Sequence, residues 1–464
     1  MTEALWTSQA IIRATGGRAA GPSFAASGVS IDTRTLEAGD LFVALTGARD
    51  GHEFALPALT KGAAGVLISR PGAQPAVLVD DTLAALEQMG VAARRRATKA
   101  RRGAVTGSVG KTSLTQAIAA GLARAGASHA SVKSYNNHIG VPLTLARMPA
   151  TTERAVFEIG MNHAGEIGPL VRMVRPHAAC VTNVGPVHIE NFPDGEAGVA
   201  RAKAEIFEGL EPGGIAVLNA DDAWFDMLRA AAERAGARVR TFGAGADADA
   251  RLVDVMLEDG ARVHARLYGR ELEITLQQTG AHWGAMSLAA ILMLEALGVG
   301  VEDSLAALAS FAPLEGRGAV RTIAGPGGPF TLVDESYNAN PISVRAALAT
   351  LGARRAGGRR IAALTDMLEL GPGAPAMHAG LAEPIEAADV DLVFCAGPLM
   401  KSLFDALPPT RQGGYADDAA GLAPALAQAV EPGDVVMVKG SRDSRAKDLV
   451  EALSALAPDN GGAR

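Results

Sequence analysis

The sequence predicts an α/β protein of three domains built on parallel sheets, and three observations carry that expectation. Short apolar runs alternate with helical patterns at 155–157, 179–182, 216–218, 332–333, 361–364, 392–394 and 435–438, and strand–helix alternation lays successive strands parallel with helices on the faces of the sheet. At 464 residues the chain exceeds the size at which one hydrophobic core stops growing. Residues 103–117, GAVTGSVGKTSLTQA, join an apolar run to a helical one through a glycine-rich loop, which makes a strand–loop–helix unit.

Taken in order, the elements divide as follows. In GVSIDTRTLEAGDLFVALTG, at 28–47, a polar turn at 37–40 separates two apolar runs, and the unit closes near Asp80 and Asp81. DTLAALEQMGVAARRR, at 81–96, is an amphipathic helix that leads to the strand before the loop. The central set of strand–helix units ends near PLEGRG at 313–318, and a second set follows. The expected domains are therefore 1–83, 84–314 and 315–464, with a frayed tail, APDNGGAR.

Composition excludes several classes. A formal charge of -7 and a pI near 5.8 give no general attraction to nucleic acid or to anionic membranes. The one basic run, Arg94 to Arg96 with Arg101 and Arg102, is short and is expected to be a solvated connection. The longest uncharged apolar run, 283–294, falls short of the roughly 20 residues of a membrane helix. The first twenty residues carry no basic-then-apolar signal pattern, so a cytoplasmic location is expected. Cys180 and Cys395 have no paired spacing and are expected in the core.

The loop carries the first chemistry. Gly107 and Gly110 allow the backbone N–H groups of Ser108, Val109 and their neighbours to converge on phosphate oxygens, and the following helix N-terminus adds partial positive charge. Lys111 can reach terminal phosphates, the Thr112 hydroxyl can ligate Mg²⁺, and Ser113 completes the turn. The loop is shorter than the standard one, for Val105 stands where a glycine is usual. Glu158 follows the strand at 155–157, His188 follows the next, and Lys203 opens an apolar helix. Each alone reads more readily as structure: Glu158 as a strand-end cap or ion-pair partner, His188 as a hydrogen-bonded structural histidine and Lys203 as a surface charge.

Their order is informative. TGSVGKTS, FEIGMNHAGEIGPL, TNVGPVHIENF, AKAEIF and NADD, in that sequence, resemble the Mur ligase superfamily, the ATP-dependent amino-acid and peptide ligases of bacterial cell-wall synthesis. That family uses the shorter loop. IDTRTLEAGDLFVAL, DGHEF, GAHWGAMSLAAI, GRG, DESYNANPISVRAAL, TDMLELG and VKGSR are similar to the branch that adds D-alanyl-D-alanine to UDP-N-acetylmuramoyl-tripeptide, so the likeness runs from about residue 30 to 445.

The resemblance implies a small N-terminal α/β domain for the nucleotide sugar, a central P-loop ATPase domain with a parallel sheet, and a Rossmann-like C-terminal domain that binds the dipeptide and closes over ATP. It implies ATP and Mg²⁺ as cofactors. Lys111, Glu158, His188, Lys203 and Arg317 are matched to catalysis, and Thr112, Glu158, His188 and Lys203 to the metals, with Lys203 carried as a carbamate. His282, Arg317, Asp334, Tyr337 and Asn338 are matched to the nucleotide beside the loop. Thr33, Arg34, Asn136, Asn137 and Asn162 fall to the UDP-sugar side, and Lys439, Ser441 and Arg442 to the peptide end. A monomer is expected, with no nucleic-acid or membrane partner.

The pattern departs from the family at Trp283 and Met286, where asparagines usually contact adenine, at His138, often Glu, and at Thr365, usually Gly. Two alternatives stand beside this reading: the preceding ligase, which adds lysine or diaminopimelate, and a non-catalytic nucleotide-binding relative. The Asp-Asn-Pro-Arg tetrapeptide typical of the former does not occur here.

Overall fold

The structure, a computed structural model, describes residues 4–47, 49–132, 134–257, 260–354 and 356–457. The tail expected to fray lies almost wholly outside them.

Besides a two-stranded antiparallel pairing of Trp6–Thr7 with Ala25–Ala26, three larger sheets follow one another along the chain. The first has five strands, in the order Arg18–Ala20, Ala76–Leu78, Gly65–Ile68, Asp40–Val43 and Gly28–Ser30, parallel except for the first pair. Strands buried on both faces read as continuous apolar runs, and GVLI at 65–68 is fully buried. The helix Thr82–Arg96 starts where Asp81 accepts from the N–H groups of Leu83 and Ala84. Its Ala85, Leu86, Met89 and Ala93 share a core with Trp6, Ile11, Leu41 and Leu67. The helix therefore packs as part of the N-terminal unit, although the sequence boundary falls at its first turn. Gly90 lets it approach the helix Gly140–Ala146, since a Cβ there would lie 3.1 Å from Leu145 and from the Pro142 carbonyl.

The basic run is only in part the solvated connection expected from sequence: Arg95 and Arg101 are exposed, but Arg96 and Arg102 are drawn in. Arg102 is 7% exposed and donates to the carbonyls of Val174, Arg175 and Ala100 and to Glu211. Arg96 donates to the carbonyls of Leu5 and Met148 and lies 4.2 Å over the Trp6 ring. A guanidinium offers five donors on a long apolar stem, so it can be buried wherever backbone carbonyls converge.

The central sheet has nine strands, in the order Arg270–Leu276, Ala261–Leu267, Ala250–Leu257, Arg238–Gly243, Ile215–Asn219, Ala178–Val181, Arg101–Thr106, Arg154–Glu158 and Ser128–Ala130. It is parallel up to Ala250–Leu257, and the last three strands form an antiparallel meander. The strand before the glycine-rich loop lies between the strands ending at Glu158 and Val181. All three therefore release their next residues at one edge, where α/β sheets bind ligands.

The third sheet runs Ala319–Gly325, Gly328–Glu335, Val435–Lys439, Arg360–Thr365, Leu392–Ala396 and Gln412–Ala416. Only its first pair is antiparallel, and separate apolar clusters cover its two faces. The helix Pro341–Ala353 begins with a reciprocal cap between Asn340 and Ser343 and with proline at its first position. Among the described residues no helix is long and apolar enough to cross a membrane. Cys180 and Cys395 are buried and free, and burial pushes both thiols up, Cys395 to about 12.

Candidate active site

At the end of the strand Arg101–Thr106 the chain turns through Gly107, φ 147°, and Gly110, φ 85°, into the helix Lys111–Arg124. Both angles lie in the region that favours glycine. A Cβ on Gly107 would stand 1.8 Å from the Thr182 hydroxyl oxygen. The loop is pinned by its neighbours. Ser108 N–H donates to the Asn183 carbonyl at 2.9 Å, Val109 N–H to Asn183 Oδ1 at 2.9 Å, and Thr182 Oγ1 to the Val109 carbonyl at 2.6 Å. Lys111 Nζ folds back onto the Gly107 and Ser108 carbonyls at 2.7 and 3.4 Å. Burial lowers the Lys111 proton affinity and nearby Arg317 adds to this, while Glu158 opposes it.

Glu158, at the end of the next strand, is 1% exposed. One carboxylate oxygen accepts from Asn136 Nδ2 at 2.6 Å, and the other is buried with no partner. Thr112 Oγ1 lies 3.0 Å from Ser134 Oγ, which also accepts from Arg317 Nη2 at 3.3 Å. That guanidinium sits 3.9 Å over the Tyr337 ring. Arg317, carried between the second and third sheets, thus reaches the loop helix through one hydroxyl.

His188, φ 52°, places Nδ1 2.5 Å from Glu369 Oε2. Burial lowers its proton affinity against the pull of Glu369. Lys203 is 2% exposed in the helix Glu196–Ala204, and among the described residues its ammonium has no hydrogen bond or ion pair. Burial, with help from the Lys111 charge, holds it well below the usual lysine range.

A cleft of about 660 Å³ lies between the second and third sheets. Its walls bring together Ser108 to Ser113, Glu158 and His188 with Arg317, Tyr337 and Asn338, and also His282, Asn136, Asn137, Asn162, Lys439, Ser441 and Arg442. Asn137 caps the following helix by accepting from Ile139 and Gly140 N–H. The Asn162 carbonyl accepts from Asn191. Lys439, 3% exposed, donates to the Asn338 carbonyl at 3.0 Å and pairs with Glu335 at 3.5 Å; burial lowers its proton affinity.

Other residues fall elsewhere. Gly107 and Lys203 do not line the cleft, although the Lys203 charge is close enough to act on His188. Asp334, 2% exposed, accepts from Gly316 N–H and from the Ser336 N–H and hydroxyl, so it holds the turn that presents Arg317. Thr33 and Arg34 lie in the turn after the strand Gly28–Ser30 and do not line the cleft, with Arg34 paired to Asp32 at 2.6 Å and the Thr33 carbonyl accepting from Lys61. Trp283 does line the cleft, but it is 5% exposed and packed in the core with its ring 5.8 Å from Phe311. Met286 lines the cleft against Gly110, within 3.2 Å of where a Cβ would stand.

Sequence reasoning missed Ser134, Asn183 and Glu369. Asn183 was legible, since an Asn following a strand next to the loop strand is placed to cap that loop. Ser134 and Glu369 had no local signal, because their partners are 183 and 181 residues away in Arg317 and His188.

Residues 105–294 match the Mur ligase middle domain, and residues 317–442 the glutamate ligase domain of Mur ligases. The UDP-N-acetylmuramoyl-tripeptide–D-alanyl-D-alanine ligase of Escherichia coli (strain K12) is 34% identical over 94% of this chain and 96% of its own. The crystal structure of MurF from Acinetobacter baumannii is 27% identical and superposes with a TM-score of 0.85 over 97% of this chain and 99% of that one. MurF from Thermotoga maritima in complex with ADP is 25% identical, with a TM-score of 0.77 over 92% and 97% of the two chains. The chain belongs to the Mur ligase family, alongside its D-alanyl-D-alanine-adding ligases.

Proposed function

We propose that the chain joins D-alanyl-D-alanine to UDP-N-acetylmuramoyl-tripeptide at the expense of ATP. The observation that carries the reading is the cleft itself, in which a phosphate loop, an orphaned buried carboxylate and an arginine from the adjoining domain face one space. Division into 1–83, 84–314 and 315–464 assigns these walls to an ATP-binding domain and a domain for the incoming dipeptide.

A carboxylate is a poor electrophile. In the first step its oxygen attacks the γ-phosphorus and ADP leaves. In the second the dipeptide amine attacks the acyl carbon, the C–O bond to phosphate breaks, phosphate departs and the nitrogen loses a proton. The first step brings two anions together, so catalysis is mainly positioning and charge neutralisation. Lys111 swings from the Gly107 carbonyl to the β- and γ-phosphates, and Arg317 reaches the γ-phosphate from the other wall. Tyr337 supports that guanidinium from its ring face. Closure of the two walls keeps water from the acyl phosphate.

The donor set suits Mg²⁺. A nucleotide-bound Mg²⁺ takes one or two carboxylates with hydroxyls, waters and phosphates, and Glu158 offers an unpartnered buried oxygen in the cleft that Thr112 also lines. Thr112 and Glu158 would hold one ion, with His188 and Lys203 at a second. When bound, the metal screens the phosphate charge. Lys203 in carbamate form fits the same site. A buried ammonium without a partner is unfavourable, its depressed proton affinity leaves a free amine able to add CO₂, and the product is an anion near the Lys111 charge.

Phosphate release tests the reading. It should require UDP-N-acetylmuramoyl-tripeptide and D-alanyl-D-alanine together. Release only with the dipeptide precursor and a diamino acid would assign the preceding step, and release with neither pair would leave a nucleotide-binding protein.

A further inference from the structure

We infer that Glu369 receives the ammonium group of the incoming dipeptide and so determines which nucleophiles the enzyme accepts; the inference rests on the ligase reading above. A dipeptide arrives with an ammonium at one end and a carboxylate at the other, since an α-amino group titrates near 8. Its site needs an anion and a cation, and the anion must stand where the nitrogen meets the acyl carbon.

The third sheet's wall of the cleft supplies both. Its acidic residues are Glu335, Glu369 and Asp443. Glu335 is committed to Lys439 at 3.5 Å. Glu369 has a half-exposed side chain, and its oxygen lies 2.5 Å from Nδ1 of His188 on the opposite wall. It is therefore an anion of the dipeptide side held against the reaction side. The cation is Arg442, exposed in the cleft and, among the described residues, without an ion pair. The two turns are tied together, because Leu368 N–H, one residue before Glu369, donates at 2.9 Å to Oγ of Ser441, one residue before Arg442.

The backbone is arranged for this. Glu369, φ 62°, and His188, φ 52°, are both left-handed, a conformation that costs a non-glycine residue about 1 kcal/mol or more and persists only where the surroundings impose it. Here Met367 N–H donates to the buried His378 at 3.0 Å, and Met367 and Leu370 are themselves buried. Two strained residues facing each other across the cleft mark where the walls must meet. An arriving ammonium takes the place of the imidazole edge against Glu369.

The experiment measures turnover against D-alanyl-D-alanine, with ATP and the tripeptide precursor saturating, for wild type, Glu369→Gln and Asp443→Asn. It adds inhibition by the analogue in which a hydroxyl replaces the dipeptide amine. Glu369→Gln should raise KM for the dipeptide roughly tenfold to a hundredfold, as expected for a lost charged hydrogen bond. KM for ATP and for the precursor should stay within about twofold, and the wild-type preference for amine over hydroxyl should collapse. An unchanged dipeptide KM, an equal rise in the ATP KM, or the same loss in Asp443→Asn instead would overturn the assignment. Wild type that shows no turnover with D-alanyl-D-alanine would remove the ligase reading, and this inference with it.

Discussion

Gly107→Ala isolates the glycine requirement of the phosphate loop. The native φ of 147° is closed to a side chain, which costs about 1–3 kcal/mol. The added Cβ would also stand 1.8 Å from Thr182 Oγ1, which must then move. That hydroxyl donates to the Val109 carbonyl at 2.6 Å, so moving it unpins the loop at a further cost of about 1 kcal/mol. Together the terms come to about 2–4 kcal/mol, a fall in ATP affinity of roughly thirtyfold to several hundredfold if the loop relaxes away from its binding conformation. Calorimetric titration with ADP or a non-hydrolysable ATP analogue measures this directly. Thr182→Ala in the same background relieves the collision but not the dihedral strain, so the double-mutant cycle should show positive coupling close to the steric part. Nucleotide affinity within twofold of wild type in Gly107→Ala would refute the geometry, and a double variant no better than additive would refute the collision.

Three further outcomes follow from the same structure. Lys203→Met should lose roughly a hundredfold or more in turnover, without a lower melting temperature, because it removes a buried ammonium that has no partner; wild-type turnover insensitive to bicarbonate would count against the carbamate. Arg102→Met should cost about 3–5 kcal/mol, since three backbone carbonyls and Glu211 lose a donor, and calorimetry should show melting lowered by roughly 6–20 °C. Burial raises the Asp434 proton affinity, but Arg359 at 2.7 Å and the Glu431 and Arg359 N–H groups outweigh it and leave it below the ordinary carboxylate value. Its contribution is therefore complete above about pH 4 and lost as pH falls through the folded value; Asp434→Asn should cost about 2 kcal/mol at pH 7 and flatten that acid limb in denaturant titrations.

The sequence alone determined the strands and the composition of the site. Apolar runs at 155–157, 179–182 and 435–438 became buried strands because a strand covered on both faces must be apolar throughout. GSVGKT determined a phosphate loop, because only glycine tolerates its dihedrals. The half-buried strands between 250 and 276 gave a weaker signal, since their exposed faces carry charge and break the apolar runs.

Tertiary structure decided what no local pattern encodes. It turned Arg102 from a surface charge into a buried clamp, and it moved Asp334 off the cleft wall into support of the Arg317 turn. It joined Thr112 to Arg317 through Ser134, and set Glu369 against His188. The physical reason is the same in each case. Propensity and periodicity act over a few residues, whereas burial and the pairing of polar groups depend on which distant segments the sheets bring to one edge.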